Sequence, residues 1–388
     1  MRALTLVLTT LLLAACGGSS PGSAAPPASA PAVPPSSSPT DGQAMAALVD
    51  FPNGTGPQSS GYDLALVGTD GRVAARTHAA ARSSIATSGS GGGAAALDLP
   101  EVSAADGRVY YLDGDQNLRS LTPTGSSGVI ATVPGSPTAH AGFAVSPDGR
   151  SIAVSVLTYR GGTASVTSLY VEDLPNGSRR DIAHQGSDLV WPVAWRGNDL
   201  VLAMASTGFS QEGLTRNPYS AASYELVDPT TSNRVAAIGG PDLTSGCEVT
   251  GLVVPAGTAC SHRTSSRPAS ELWLLNWTGA RTDTLTVQRP GPTAALHPDQ
   301  RSVGICCDAA GAVLVAQGHA TPAVTRLEGS PDSWPCWIDD QHLLAGSVND
   351  HQFQPGVLTV GRGSVAEVDA HGFCAAVLGS AGAAGEPM

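Results

Sequence analysis

Apolar residues along this chain come in short runs, and the distance between runs is that of strands. Runs rich in Val, Ala, Leu and Tyr are cut by Gly, Asp and Pro about every ten residues, with almost no i, i+3, i+4 rhythm of a helix. The clearest unit is Phe143-Ala144-Val145-Ser146-Pro147-Asp148-Gly149-Arg150-Ser151-Ile152-Ala153-Val154. Here an apolar run meets Pro-Asp-Gly and a second apolar run follows. Pro presets φ for a turn, Asp can accept the N–H two residues on, and Gly tolerates positive φ. The pattern predicts a β-hairpin.

The same frame returns in blurred copies. Asp106-Gly107 keeps the turn, Pro298-Asp299 keeps its first half, and Pro255-Ala256-Gly257 keeps Pro and Gly. Trp195-Arg196-Gly197-Asn198 and Trp337-Ile338-Asp339 are more divergent. With Asp106, Asp148, Asn198, Ala256, Asp299 and Asp339 as equivalent positions, the steps are 42, 50, 58, 43 and 40 residues. A second strand pair follows in each unit, as in Glu271-Leu272-Trp273-Leu274-Leu275 before Asp283-Thr284-Leu285. Four short strands repeated about every 40–50 residues indicate a β-propeller. The two chain ends are complementary: 371–378 match an innermost strand, and 46–49, 62–67 and 72–75 match the other three of a blade. The expected fold class is therefore all-β, a seven-bladed β-propeller, with six or eight blades as the alternatives. Its last blade is closed by N-terminal strands plus a C-terminal inner strand, which removes the open sheet edge.

The Ser146-Pro147-Asp148-Gly149-Arg150-Ser151-Ile152-Ala153 frame resembles the repeat of TolB-like propellers, and the resemblance extends loosely over 97–378. It implies the architecture. The family's namesake has a separate N-terminal domain that has no counterpart here, so a Tol-system role is not implied. Propellers host hydrolases, lyases, oxidoreductases and binding platforms alike.

The first residues carry an address. Arg2, the apolar stretch 3–13 and the small pair Ala14-Ala15 read as a secretory signal peptide over 1–15. Cys16 directly after it makes the segment resemble a bacterial lipoprotein lipobox; a plain secretory signal with a chance Cys is the alternative. The resemblance implies a diacylglyceryl group on Cys16, cleavage before it, and a palmitate-type anchor holding the protein to the cell membrane from outside the cytoplasm. Two acyl chains anchor stably where one is marginal. Residues 16–43 hold seven Pro and seven Ser among Gly and Ala, the composition of a disordered tether. The propeller is expected over 44–379 and a flexible tail over 380–388.

Composition narrows the classes further. Net charge is −12, all 20 basic residues are Arg, and only 13% of the chain is charged. Nucleic-acid binding, which needs concentrated cations facing phosphate, is not expected. No second run of 18 or more apolar residues predicts a membrane span. Beyond Cys16 there are six cysteines, Cys247, Cys260, Cys306, Cys307, Cys336 and Cys374, which in an oxidising compartment read as disulfides. Aligning the inner strands puts Cys336 and Cys374 at like depth on neighbours. The same alignment puts Cys247 and Cys260 at opposite ends of a hairpin, and Cys306 and Cys307 on opposite faces of one strand. A structural zinc cluster lacks its CxxC spacing.

Catalytic patterns are sparse. No Gly-x-Ser-x-Gly elbow occurs in the repeat region, and no α/β segment follows it. Asp113-Gly114-Asp115-Gln116-Asn117 has the start of a calcium loop, but its residues also suit a turn. Glu101, His140, Glu248 and His371 fall near the starts of inner strands and could converge on a central channel as metal ligands, in the manner of propeller lactonases. Channel positions are wet, so polar residues there need no function. Trp191 and Trp334 are candidate ligand-surface aromatics if exposed at the mouth, and core if buried. The loops at 206–222 and 261–270 are candidate contact regions. Taken together, the sequence points to a monomeric, non-catalytic binding or scaffold lipoprotein without a cofactor. Its partner would be a protein or cell-wall glycan. A channel-centred metal-dependent hydrolase or lyase is the alternative.

Overall fold

Seven four-stranded antiparallel sheets succeed one another in the computed structural model of the chain. The chain divides into two units after Ser37. The structure describes 43–51, 61–82, 85–88, 94–97, 99–160, 163–184, 188–205, 219–239, 247–263, 270–287, 293–299, 302–306, 312–317, 323–328, 333–347 and 354–379, all in the second unit. The signal peptide, Cys16, the tether, Cys307 and the 380–388 tail lie outside these residues.

Blade 1 holds β1 (Met45–Asp50), β2 (Tyr62–Gly68) and β3 (Val73–Ala79). A hairpin of β4 (Ile85–Ser88) and β5 (Ala94–Leu97) follows. Blade 2 is β6 (Val102–Ala105), β7 (Arg108–Asp113), β8 (Asn117–Leu121) and β9 (Ser127–Thr132). Blade 3 is β10 (Ala139–Val145), β11 (Ser151–Arg160), β12 (Thr163–Asp173) and β13 (Arg179–Asp181). Blade 4 is β14 (Leu189–Arg196), β15 (Asp199–Ala205), β16 (Ser223–Val227) and β17 (Arg234–Gly239). Blade 5 is β18 (Cys247–Val254), β19 (Gly257–Arg263), β20 (Ser270–Leu275) and β21 (Arg281–Val287). Blade 6 is β22 (Thr293–Leu296), β23 (Ser302–Cys306), β24 (Ala312–Gln317) and β25 (Ala323–Glu328). Blade 7 is β26 (Ser333–Trp337), β27 (His342–Ser347), β28 (Gly356–Thr359) and β29 (Ser364–Glu367). The last strand, β30 (Phe373–Leu378), returns to blade 1. Among the described residues there is no helix.

Closure is as the sequence predicts. β30 pairs antiparallel with β1, from Met45 opposite Leu378 to Val49 opposite Phe373. The register shifts between Ala47 and Leu48, leaving Ala375 unmatched as a bulge residue. Each blade contacts the next, and β1 and β30 share one sheet, so the ring is complete.

The turns use the chemistry expected of them. In Ser146-Pro147-Asp148-Gly149, Gly149 N–H donates to Ser146 O at 2.8 Å and Arg150 N–H to Asp148 Oδ1 at 3.1 Å. The Ser146 hydroxyl also donates to Asp148 Oδ1 at 2.6 Å, and these two bonds hold that carboxyl below its usual range. The i+2 bond recurs from Arg72 to Asp70, Thr230 to Asp228, Thr278 to Asn276 and Gln341 to Asp339. It fixes the turns of five blades.

Each blade is sandwiched between two others, so strands bury both faces. β2 is buried at all but one position, and Tyr62, Leu64 and Leu66 pack with Val109 and Tyr111 of blade 2. Tyrosine hydroxyls inside these layers find backbone carbonyls: Tyr62 donates to Leu112 O and Tyr224 to Tyr219 O. Burial raises the Tyr62, Tyr219 and Tyr224 phenols, and pushes Tyr170 up to about 12. Their folded pKa values lie above the unfolded value, so their contribution to stability is complete below about pH 10 and declines above it. An ultraviolet titration of the folded protein should therefore ionise only a minority of the seven tyrosines until alkaline unfolding releases the rest together. Gradual ionisation of all seven without unfolding would contradict the packing.

Two disulfides are present among the described residues. Cys336 of β26 bonds Cys374 of β30, with Cα atoms 6.1 Å apart, so a covalent clasp spans blade 7 and the closing blade. Cys247 bonds Cys260, Cα atoms 5.6 Å apart. The alignment had set these two at opposite ends of their hairpin; in the register Cys260 faces Val249, two residues from Cys247, within diagonal reach. Cys306 is also disulfide-bonded. Such bonds form in oxidising, extracytoplasmic compartments. No helix of the described residues is long and apolar enough to cross a membrane.

Candidate ligand-binding channel

All seven inner strands run from one mouth of the channel to the other, and at their far ends lie the Asp-Gly-type turns. Near those turns they line a cavity of about 170 Å³. Each strand contributes a small or branched apolar side chain or a Trp: Val102, Val145, Val193, Leu252, Leu296, Trp337 and Ala376. Among the described lining residues only Arg196 is charged, and no carboxylate or imidazole is present. Tyr219 also lines the cavity, is 4% exposed, and packs with Trp334 and Phe373. Its hydroxyl donates to the carbonyl of the bulge residue Ala375. Tyr219 belongs to the 206–222 loop predicted as a contact region. Its end is folded into the ring instead, with Ala221 bridged to Val249; 206–218 and 264–269 lie outside the described residues.

Polar groups near the cavity serve to join blades. Trp195 Nε1 donates to Ala144 O at 3.1 Å and Trp337 Nε1 to Ala295 O at 3.0 Å, each reaching the preceding inner strand. Val145 N–H donates to Ser103 Oγ at 3.0 Å. At the turn mouth, His297 is buried with Nδ1 2.6 Å from Asp299 Oδ1 and its ring edge-on to Trp337.

The four predicted metal ligands are not brought together. Glu101 is buried beside the guanidinium of Arg82, Oε1 to Nη1 3.9 Å. His140 is 4% exposed, with Nε2 3.5 Å from Pro137 O, and burial lowers its pKa, so it is neutral at pH 7. Glu248 is half-buried opposite Ser261 in blade 5, and His371 half-buried in the turn before β30. Glu101 and His140 are both buried, one beside a counter-charge and the other beside a carbonyl. Among the described residues, no three His, Cys, Asp or Glu side chains are placed to hold a metal ion. Asp113 to Asn117 is the β7–β8 turn, its Asp113 carboxylate accepting Ala80 N–H at 2.7 Å.

The ligand-surface aromatics need the same correction. Trp191 is wholly buried in a core shared by blades 3, 4 and 5, and Trp334 is 5% exposed against Phe373 at 4.6 Å. An indole at the start of an inner strand meets the neighbouring blade, not solvent. The sequence reading passed over Arg82, which belongs to no repeated frame, and a lone Arg in a linker carries no spacing signal.

No family model matches the chain, and no curated protein matches it. Similar solved structures exist at low identity. The dihydro-heme d1 dehydrogenase NirN is 17% identical over 89% of this chain and 76% of its own, with TM-score 0.48. The Dos1 propeller is 12% identical over 82% of each chain, TM-score 0.45. TolB from Acinetobacter baumannii is 15% identical over 74% of this chain and 67% of its own, TM-score 0.41. At such identity the likeness is one of fold alone, and the strand order fixes the rest: the chain is a seven-bladed β-propeller.

Proposed function

We propose that this chain is a non-catalytic binding module of the cell envelope, held at the membrane through a lipid on Cys16. It presents the turn mouth of its channel to a protein or glycan partner. The observation that carries this reading is the apolar cavity shared by all seven inner strands, with no acid–base pair in its described lining. An apolar cavity of about 150 Å³ accepts a benzene-sized guest, so about 170 Å³ suits one aromatic or branched apolar group of a partner. Asp106, Asp148 and Asp340 stand exposed on the turns around the mouth, with half-buried Arg196 beside them, and would orient the rest of the ligand. An apolar pocket with a few polar groups at its rim is the usual form of a recognition site.

Filling the cavity tests the reading. Ala104 lines it and is only partly buried, so Ala104→Trp should leave the melting transition within a few degrees while lowering recovery of cross-linked envelope partners about tenfold. Equal recovery by the filled and native rings would set the channel reading aside.

A further inference from the structure

Blade 3 departs from its neighbours at the outer edge. β12 runs for 11 residues, yet β13 covers only three of them, Tyr170, Val171 and Glu172. One more outward bond follows, Ile182 N–H to Leu169 O at 2.9 Å. Beyond it, no strand among the described residues pairs with the outer edge of Thr163 to Ser168. A cavity of about 360 Å³ occupies this place. One wall is Ser165 to Leu169, and the other is Asp181, Ile182, His184 and Asp188. The described residues of the far wall are tied down: Ala183 N–H donates to Ser232 Oγ at 3.1 Å, Ile182 packs in the blade 3–4 core, and His184 Nε2 lies 3.3 Å from Asp188 O.

A cavity walled on one side by an unpaired sheet edge is a place for strand addition. Of the devices that normally blunt an edge, Pro and charge are missing from Thr163 to Ser168, and a single bulge at Thr167 is present. Charge selects the occupant. The carboxylates of Asp181 and Asp188 face the slot without an ion pair among the described residues, while nearby Arg179 is engaged with Glu172 at 2.7 Å and stacked on Tyr170. A second copy of the chain would bring the same carboxylates against themselves, so self-pairing is disfavoured. We propose that the outer edge of β12 is a second binding site, taking an extended peptide segment with Arg or Lys at alternate positions as an added strand. This site is independent of the channel.

The probe is a fluorescent six-residue peptide alternating Arg and Val, titrated into the full chain, with an alternating Glu and Val peptide as control. The basic peptide is expected to bind, weaken as salt rises, and protect the amides of 164–169 from hydrogen exchange. The variant Asp181→Asn/Asp188→Asn, which keeps side-chain size, should weaken binding about tenfold and leave the melting temperature in place. Three results with the peptides would overturn the proposal: equal binding of the two peptides, protection elsewhere than β12, or undiminished affinity in the variant. The last would mean that the basic peptide responds only to the net charge of −12. Concentration-dependent dimers protected at the same amides would give the edge to a second copy instead and equally overturn it.

Discussion

Removal of residues 372–388 is expected to abolish cooperative folding. The deletion takes away β30, whose Phe373, Cys374, Ala375, Ala376 and Leu378 are all buried. Phe373 and Leu378 alone contribute about 1.5–3 kcal/mol each by burial, and Met45, Leu48 and Val49 of β1 lose the strand that covers them. The total approaches the whole stability of a domain, about 5–15 kcal/mol. A circular dichroism melt of the truncated chain should show no sharp transition. The clasp alone is a milder test of the same junction. Cys336 and Cys374 are 38 residues apart, and loop-closure entropy assigns such a bond about 4 kcal/mol. Cys336→Ala/Cys374→Ala should therefore lower the urea midpoint and steepen the slope, because the unfolded chain without its cross-link exposes more surface. Gly372 guards the same turn: its φ is +115°, and an added Cβ would stand 2.3 Å from Val49 O, so Gly372→Ala should also impair closure. An unchanged transition in the truncated chain would mean that the ring holds without its seam.

That seam was legible in the sequence because both ends are incomplete in a way only one architecture repairs. Turn residues carried the count: Asp148 and Asp339 accept the i+2 N–H that their type and position require, and the apolar runs on either side leave no other pairing. The extra hairpin of β4 and β5 was not foreseen. Its Ala- and Gly-rich segment has no alternation to read, and Leu97, which packs with Leu157 and Trp191, ties it to the core. Side-chain direction was the harder matter. A position near the start of an inner strand can look into the channel or into the layer beside it, and the period of two says nothing about which blade a neighbour belongs to. Glu101 and His140 are buried beside Arg82 and the Pro137 carbonyl, and Arg82 lies outside the repeat. Trp191 and Trp334 went inward for their area. The channel itself was read as wet; it is apolar because each strand happens to end in Val, Ala, Leu or Trp, a pattern visible only once the strands are set in a ring.

Arg82→Met is expected to cost about 3–5 kcal/mol, the usual loss when one member of a buried ion pair is removed. Arg82 follows β3 of blade 1, its Nη2 donates to Ala141 O of blade 3 at 3.0 Å, and its Nη1 lies 3.9 Å from Glu101, just ahead of blade 2. One side chain thus ties three blades at the mouth opposite the Asp-Gly turns. Both charges are about 95% buried, and Arg82 Nε and Nη1 make no hydrogen bond, so the pair is held by charge at a distance and by exclusion of water. Desolvation then nearly cancels the attraction. The single substitution takes the Arg82 counter-charge away from buried Glu101, whereas Arg82→Met/Glu101→Leu removes both charges together. Urea titrations of the two single variants and the double should give a double-variant loss well below the sum of the singles, with a coupling of about 1–3 kcal/mol. The Arg82→Met loss should also shrink as pH falls and Glu101 takes up a proton, since the neutral acid no longer needs a counter-charge. Additive losses, flat with pH, would show that Arg82 holds the blades through packing and its bond to Ala141 alone.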